Sequence, residues 1–300
     1  MARPQPTAPS TPSRRDTLLG LAFMAGAFFF YATSDMFSKL LTETQHPIQV
    51  AWTRQCGLLA VVTVLLIRNG PGILRSHHPL LQVARGLTAV ITPTSFIFAV
   101  AFVPLADAVA VSFVVPFLVT ILAALVLGER VGIRRWVAVA LGFGGALIVI
   151  RPGMGVFHPA IFLVLITAGA FALRQILSRM LSGGDTLLTT IAITGLTSSL
   201  ILSTALPFVW TAPDSSTTIL LMVATAATAA LAELGIIKAL DLALAVVVAP
   251  VQYTLMIYSV FWGFIVFSDL PDMWTLIGTA IIMASGGYSL WRESLAQQGS

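Results

Sequence analysis

Charge is scarce in this sequence. Asp, Glu, Lys and Arg make up 9% of its 300 residues, whereas a soluble domain carries about a quarter. Hydrophobic residues reach 57% and the mean hydropathy is +0.95. A chain with so little polar surface does not stay in water, so an integral membrane protein is expected. Cysteine is nearly missing: the single Cys56 excludes an internal disulfide and says nothing of compartment. Strict apolar–polar alternation is absent, which argues against a membrane barrel and for helices. No His-Glu-x-x-His run, Cys/His cluster or phosphate loop occurs. His46, His77, His78 and His158 fall between apolar runs, where a solvated ring is the ordinary outcome. Gly183-Gly184-Asp185 is another break, and no second aspartate at depth completes an aspartyl site. No enzyme, cofactor or metal is expected. The pI of 9.7 does not point to nucleic acid, because the excess Lys and Arg sit in short loops, where orientation signals belong.

What is present is a series of ten apolar runs, each close to the length that crosses a bilayer. They cover residues 17–39, 48–67, 80–102, 105–127, 134–150, 160–180, 186–207, 217–238, 243–267 and 273–291. Residues 1–16, with Pro4, Pro6, Pro9 and Pro12, read as a disordered cytoplasmic tail. Arg14-Arg15 before an apolar run has the look of an export signal, but further runs follow, and the pair reads instead as a cytoplasmic anchor. With the N-terminus inside, the cytoplasmic loops receive Arg68, Arg75, Arg130, Arg134, Arg135, Arg179, Lys238 and Arg292. The outside receives Lys39 and Arg151. That bias predicts a multi-pass membrane protein with both termini in the cytoplasm.

Two stretches share a design. Residues 85–153 contain an apolar helix, a tight turn at Val103-Pro104-Leu105, a helix holding Pro116, the break Leu127-Gly128-Glu129-Arg130, and a glycine-rich helix ending at Arg151-Pro152-Gly153. Residues 243–291 repeat it more weakly, with Pro250 and Ser268-Asp269. Two units of five helices, 17–153 and 154–300, must be inverted because five is odd. Such inverted repeats recur in transporters, with the substrate site where the halves meet. The expected fold is therefore all-α, with ten transmembrane helices in two inverted five-helix halves.

Polar residues inside the runs mark candidate cavity walls, since they are costly toward lipid. Tyr31, Ser34, Asp35 and Ser38 share one helical face. Asp35 either meets a substrate amine or proton, or pairs with Lys39 one turn on. Thr92 and Ser95 flank Pro93, which frees a backbone carbonyl that can bond a ligand; ordinary helix packing is the alternative. Phe171 sits in a similar row with Thr167, Arg174 and Ser178. Gln252 and Tyr253 follow Pro250 near mid-membrane, in a helix whose aromatic rings suit an aromatic or thioether group; an interfacial aromatic belt is the alternative, which suits Trp262 but not Tyr253. Arg54 and Glu233 read as structural pairs, and Arg85 and Arg174 as arginines reaching for the surface. The predicted pathway is Tyr31, Ser34, Asp35, Thr92, Ser95, Pro116, Phe171, Gln252 and Tyr253, with Pro93, Pro116 and Pro250 as bending points. The first, third, fourth, sixth, eighth and ninth runs should line it. The fifth and tenth should lie outside, against lipid or in a homodimer.

The segment 85–153 resembles the EamA-type module of the drug/metabolite transporter superfamily. The resemblance rests on Arg85, Pro104-Leu105-Ala106-Asp107-Ala108, Pro116, Leu127-Gly128-Glu129-Arg130, and Trp136 before Gly142-Phe143-Gly144-Gly145. Within it the chain is most similar to the bacterial aromatic amino-acid exporter (YddG-like) branch, although Ser268-Asp269 replaces Gly-Glu in the second half. The resemblance implies export of amino acids, aromatic ones first, with methionine or threonine and analogues beside them. Alternating access around a central cavity is the expected mechanism, downhill rather than through a proton on Asp35. Two other readings stay open: a proton-coupled drug or metabolite exporter, and a scaffold with no continuous polar path.

Overall fold

A computed structural model describes residues 14–128, 132–151, 158–181, 184–243 and 245–298. Among the described residues there is no strand. The helices are α1 (Arg14–Leu41), α2 (Pro47–Asn69), α3 (Pro79–Val100), α4 (Leu105–Ser112), α5 (Val115–Val126) and α6 (Ile133–Ile150). They continue with α7 (Ile161–Leu181), α8 (Leu187–Val209), α9 (Ser216–Leu242), α10 (Ala245–Val248), α11 (Thr254–Phe267) and α12 (Met273–Gln298). Of the expected tail, residues 1–13 lie outside the described residues. Residues 14–16 already form the first turn of α1, where Asp16 suits the positive end of the helix dipole. Glu129, Arg130, Pro152, Gly153 and Gly183 also lie outside the described residues.

Seven spans among the described residues are long and apolar enough to cross a membrane: α1, α2, α3, the unit Leu105–Val126, α7, α8 and α9. The other three expected runs are described only in part or are interrupted. The fifth is represented by the apolar stretch Trp136–Ile150. The ninth is interrupted: α10 gives way to a 3-10 turn, Ala249–Tyr253, because Pro250 cannot donate to the helix ladder. Its apolar remainder is Val251–Phe267. The tenth corresponds to α12.

Local sequence explains most helix starts. Pro47 and Pro79 open α2 and α3, where a missing N–H costs nothing. Thr186 and Ser215 cap α8 and α9 by accepting from the Thr189 and Thr218 N–H groups at 3.1 Å. The break between α4 and α5 lies one turn before Pro116, with 3-10 bonds from Phe113 and Val114 to Ala110 and Val111.

Helix contacts come in matched sets. α1 packs along α9 and α3 along α7; α2 lies on α8; α2 also meets α9 while α3 meets α8. α1 touches α11, α5 touches α7, and α6 packs against α12. Close approach depends on small residues. A Cβ on Gly57 of α2 would fall 2.0 Å from the Ala226 carbonyl oxygen of α9, and one on Gly145 of α6 would fall 2.8 Å from the Gly278 carbonyl oxygen of α12. The central apolar core gathers around α4, α5 and α7, with Phe117 and Leu105 fully buried.

Each end of the bundle is tied by polar contacts. At the end holding the turn after α1, Lys39 Nζ lies 3.4 Å from Asp269 Oδ2 and 3.2 Å from the Val103 carbonyl. There too Arg151 Nη1 lies 2.5 Å from Asp272 Oδ2, and Thr275 Oγ1 donates to Asp107 at 2.9 Å. At the opposite end Asp185 accepts from Ser76 Oγ at 2.5 Å, the His77 N–H at 2.8 Å and Gln82 Nε2 at 2.7 Å. Desolvation pushes the Asp185 carboxyl up, but those hydrogen bonds outweigh it and hold the group below its ordinary range.

Gly57→Val should lower the melting temperature of purified protein sharply, because overpacking costs about 1–3 kcal/mol even against yielding side chains and here the neighbour is backbone. Gly26→Ala, with nothing within 4 Å of its Cβ, should leave it unchanged or raise it; equal losses at both positions would contradict the packing. The depressed Asp185 carboxyl contributes stability above its unfolded value of about 3.9, and this is lost as pH falls through the lower folded value. Melting temperatures measured from pH 6 downward should fall less steeply below about pH 4 in Asp185→Asn than in the parent.

Candidate functional site

A cavity of about 460 Å³ lies inside the bundle. Its walls come from α1, α3, α4, α5, α7 and α9, from the α10–α11 turn, and from Arg54 alone on α2. Phe28, Tyr31, Phe96, Phe113 and Phe171 are its aromatic lining. The lining runs from Asp35 and Arg54, near one end of the bundle, to Leu240 and Val248 near the other.

The charged centre is the Asp35–Arg54 pair. Asp35 is 2% exposed and Arg54 6%, and Arg54 Nη1 donates to Asp35 Oδ1. The guanidinium also stands 4.4 Å from the centre of the Tyr31 ring, a cation–π contact that is strongest out of water. Two ions at this depth persist because each neutralises the other; either one alone would be severely unfavourable. Arg54 Nη2 is buried and bonded to no protein group among the described residues. Glu233 lines the cavity from α9, and its charge acts on both Arg54 and Arg85. Arg174 lines it from α7, 5.8 Å from the Phe171 ring centre.

Of the residues predicted from sequence, Tyr31, Asp35, Thr92, Pro93, Pro116, Phe171 and Gln252 line this cavity. Ser34, Ser95 and Tyr253 do not. The polar face of α1 splits into two rows one turn apart: Tyr31 and Asp35 look inward, while Ser34 turns to α9 and donates to the Thr225 carbonyl at 3.2 Å. Ser95 sits half-buried off the cavity. Tyr253 ends the 3-10 turn, whose tighter winding aims it away from Gln252. Its ring packs edge-on to Phe113 at 5.3 Å and its hydroxyl lies against Gly286 of α12.

Three partnerships differ from expectation. Asp35 pairs with Arg54, and Lys39 goes to Asp269. The carbonyl freed by Pro93, that of Ala89, accepts from Gln55 Nε2 at 3.2 Å and is spent on helix packing. Arg85 does not reach for the surface. It is 8% exposed, donates from Nε to Ser178 Oγ at 2.8 Å, and from Nη1 to Thr194, so that it joins α3, α7 and α8. Arg54 and Glu233, read from sequence as structural, both stand on the cavity wall.

Removing one member of the buried pair should be far worse than removing both. Arg54→Gln should destabilise the purified protein by about 3 kcal/mol or more, and Asp35→Asn with Arg54→Gln together should recover most of it. A double variant no better than the single one, by thermal unfolding in detergent, would mean the pair is not coupled.

Comparison with known proteins agrees with this architecture. Residues 18–151 match the EamA-like transporter family. The chain is 25% identical over 279 residues to an S-adenosylmethionine uptake transporter of Rickettsia conorii, covering 93% of this chain and 95% of that one. It is 32% identical over 232 residues to a riboflavin transporter of Vibrio cholerae, covering 76% of this chain and 78% of that one. A solved crystal structure, 17% identical, shares the fold with a TM-score of 0.59 over 95% of this chain and 99% of the other. The apolar spans, the internal cavity and these relatives agree: the chain belongs to the EamA-like transporter family.

Proposed function

We propose that this protein carries a small amphipathic metabolite, with an amino-acid-like head and an aromatic or other apolar body, across the bacterial inner membrane. The observation behind it is the cavity: about 460 Å³, within the range of small-molecule sites, with phenylalanines on its walls and a buried ion pair at one end. S-adenosylmethionine and riboflavin, the substrates in the relatives' names, both carry a flat ring system that such walls would stack. Aromatic amino acids fit the same description and remain within the class, but no longer define it.

Transport runs by alternating access between two inverted five-helix halves, 17–153 and 154–300, for ten crossings in all. The matched contacts support this. Exchanging the halves turns α1–α9 into α3–α7, α2–α9 into α3–α8 and α1–α11 into α5–α7, and leaves α2–α8 and α6–α12 in place. A helix break precedes α5 in one half and α11 in the other; Pro116 follows the first break and Pro250 lies within the second, and with Pro93 they are the bending points. The Lys/Arg bias of the loops supports cytoplasmic termini. The outer faces of α6 and α12 expose Trp136, Leu141, Met273 and Trp274 and meet lipid or a second copy of the chain.

Downhill movement is the favoured mode, because Asp35 is committed to Arg54 and is a poor proton carrier. A proton-coupled exporter is the second reading, favoured by Glu233, a cavity carboxylate with no ion pair among the described residues. Counterflow in proteoliposomes tests both, with labelled S-adenosylmethionine, phenylalanine, methionine, threonine and riboflavin offered separately. Saturable uptake of at least one without a pH gradient is the expected result. Uptake that needs an imposed gradient and disappears in Glu233→Gln selects the coupled exporter. Uptake of none by monodisperse protein removes this substrate class.

A further inference from the structure

We infer that Arg54 recognises a carboxylate on the transported molecule, through the Nη2 arm left over from its bond to Asp35. The inference rests on the transport reading above and narrows its substrate.

Buried guanidinium N–H groups are nearly always bonded. Arg54 departs from that rule in one place. Nη1 is taken by Asp35 and the face of the group by Tyr31, while Nη2 is buried and without a partner among the described residues. The neighbouring polar groups of α2 are spent on packing. Gln55 bonds the Ala89 carbonyl, Thr53 bonds the Gln49 carbonyl, and Gln49 bonds Gln45 and the Thr211 carbonyl. Arg54 is thus the one residue that α2 contributes to the cavity wall among those described, and it keeps an unused donor arm.

The surroundings choose the ligand. Nη2 exposes no surface in this conformation, so engagement requires the guanidinium to turn about its Asp35 anchor. Asp35 already cancels one unit of charge, and a single free arm suits a planar monoanion better than a phosphate dianion, which needs several donors. The formal charges on the wall also balance: Arg54 and Arg174 against Asp35 and Glu233. A zwitterion keeps that balance, whereas an ion of net charge does not. A carboxylate carried beside an ammonium group and no further charge, as on methionine or phenylalanine, meets each of these conditions; S-adenosylmethionine offers the same carboxylate with one positive charge in excess on its sulfonium.

The test compares ligands that differ only at the carboxylate, by equilibrium binding to detergent-purified protein. The pairs are S-adenosylmethionine with its decarboxylated form, methionine with methioninamide, and phenylalanine with phenylalaninamide; riboflavin is the neutral reference. At least one parent should bind about tenfold or more tighter than its partner, the scale of a hydrogen bond to a charged group. The Asp35→Asn/Arg54→Gln double variant, which strands no charge, should bring that ratio near one. Asp35→Asn alone should keep it, and Arg174→Gln should weaken both members alike. If the double variant is not monodisperse, Arg54→Lys replaces it; the ratio should again fall, because a point charge lacks the two-armed fork. Pairs that bind alike in the parent protein, or a ratio that survives loss of Arg54, overturn the inference. Binding of riboflavin alone does so too while leaving transport intact. Binding of no probe removes the substrate class itself.

Discussion

A polar atom inside a bilayer has no water to turn to, so each must find its partner within the protein. Much of this structure follows from that constraint. Thr33, Ser38, Thr53, Thr92 and Thr225 return their hydroxyls to carbonyls one turn back. Gln49 reaches Thr211, Gln55 takes the carbonyl that Pro93 abandons, and Arg85 is distributed over three helices. These contacts make the bundle specific, since apolar surfaces alone gain little from one another in lipid. Among the exceptions, buried and unbonded, are the hydroxyls of Thr94, Ser199, Tyr253, Ser259 and Thr279 and, as the one charged group on the cavity wall, Arg54 Nη2.

The same constraint explains how much could be read from sequence. Apolar runs report on the solvent around the protein, so the helices and the helical identity of the cavity walls were legible. Among the walls, only Arg54 of α2 came as a surprise. Facing direction was legible where the helix is regular, as for Tyr31 and Asp35. It failed at Tyr253, where a 3-10 turn replaces the 3.6-residue period, and at Ser34, where one polar face serves both cavity and helix contact. Partner identity was hardest. Yet one signal was available: Asp35 lies six residues before the end of α1 and Arg54 seven after the start of α2 (41 − 35 and 54 − 47). In an antiparallel hairpin these are the same depth, about 9–10 Å from that end. Lys39 was nearer in sequence, but a bundle pairs residues by level.

Pairing at the bundle ends has a different character from pairing at depth. Asp35 and Arg54 are nearly inaccessible, so parting them strands two charges. The end contacts Lys39–Asp269 and Arg151–Asp272 are looser, with acid side chains 39% and 45% exposed, and pairs so placed contribute little each. Both nevertheless join one proposed half to the other. Rim contacts this weak would let the proposed halves part at that end while the buried ion pair between α1 and α2, a few residues deeper and within one half, stays intact.

The alternating access proposed above needs two states within a few kcal/mol of one another, and the placement of charge in this sequence suits that condition. Strong ion pairs across the rim would hold the protein in one state. Strong bonds within the cavity would leave no donor for a ligand. Here the rim contacts are exposed and separable, while the cavity's one deep arginine is half committed. A ligand that engages the free arm brings with it the partner that the bilayer cannot supply, and its binding energy then falls on a group shared by α1 and α2 of the same half. On that proposal, substrate recognition and the cohesion of one moving body fall on a single side chain.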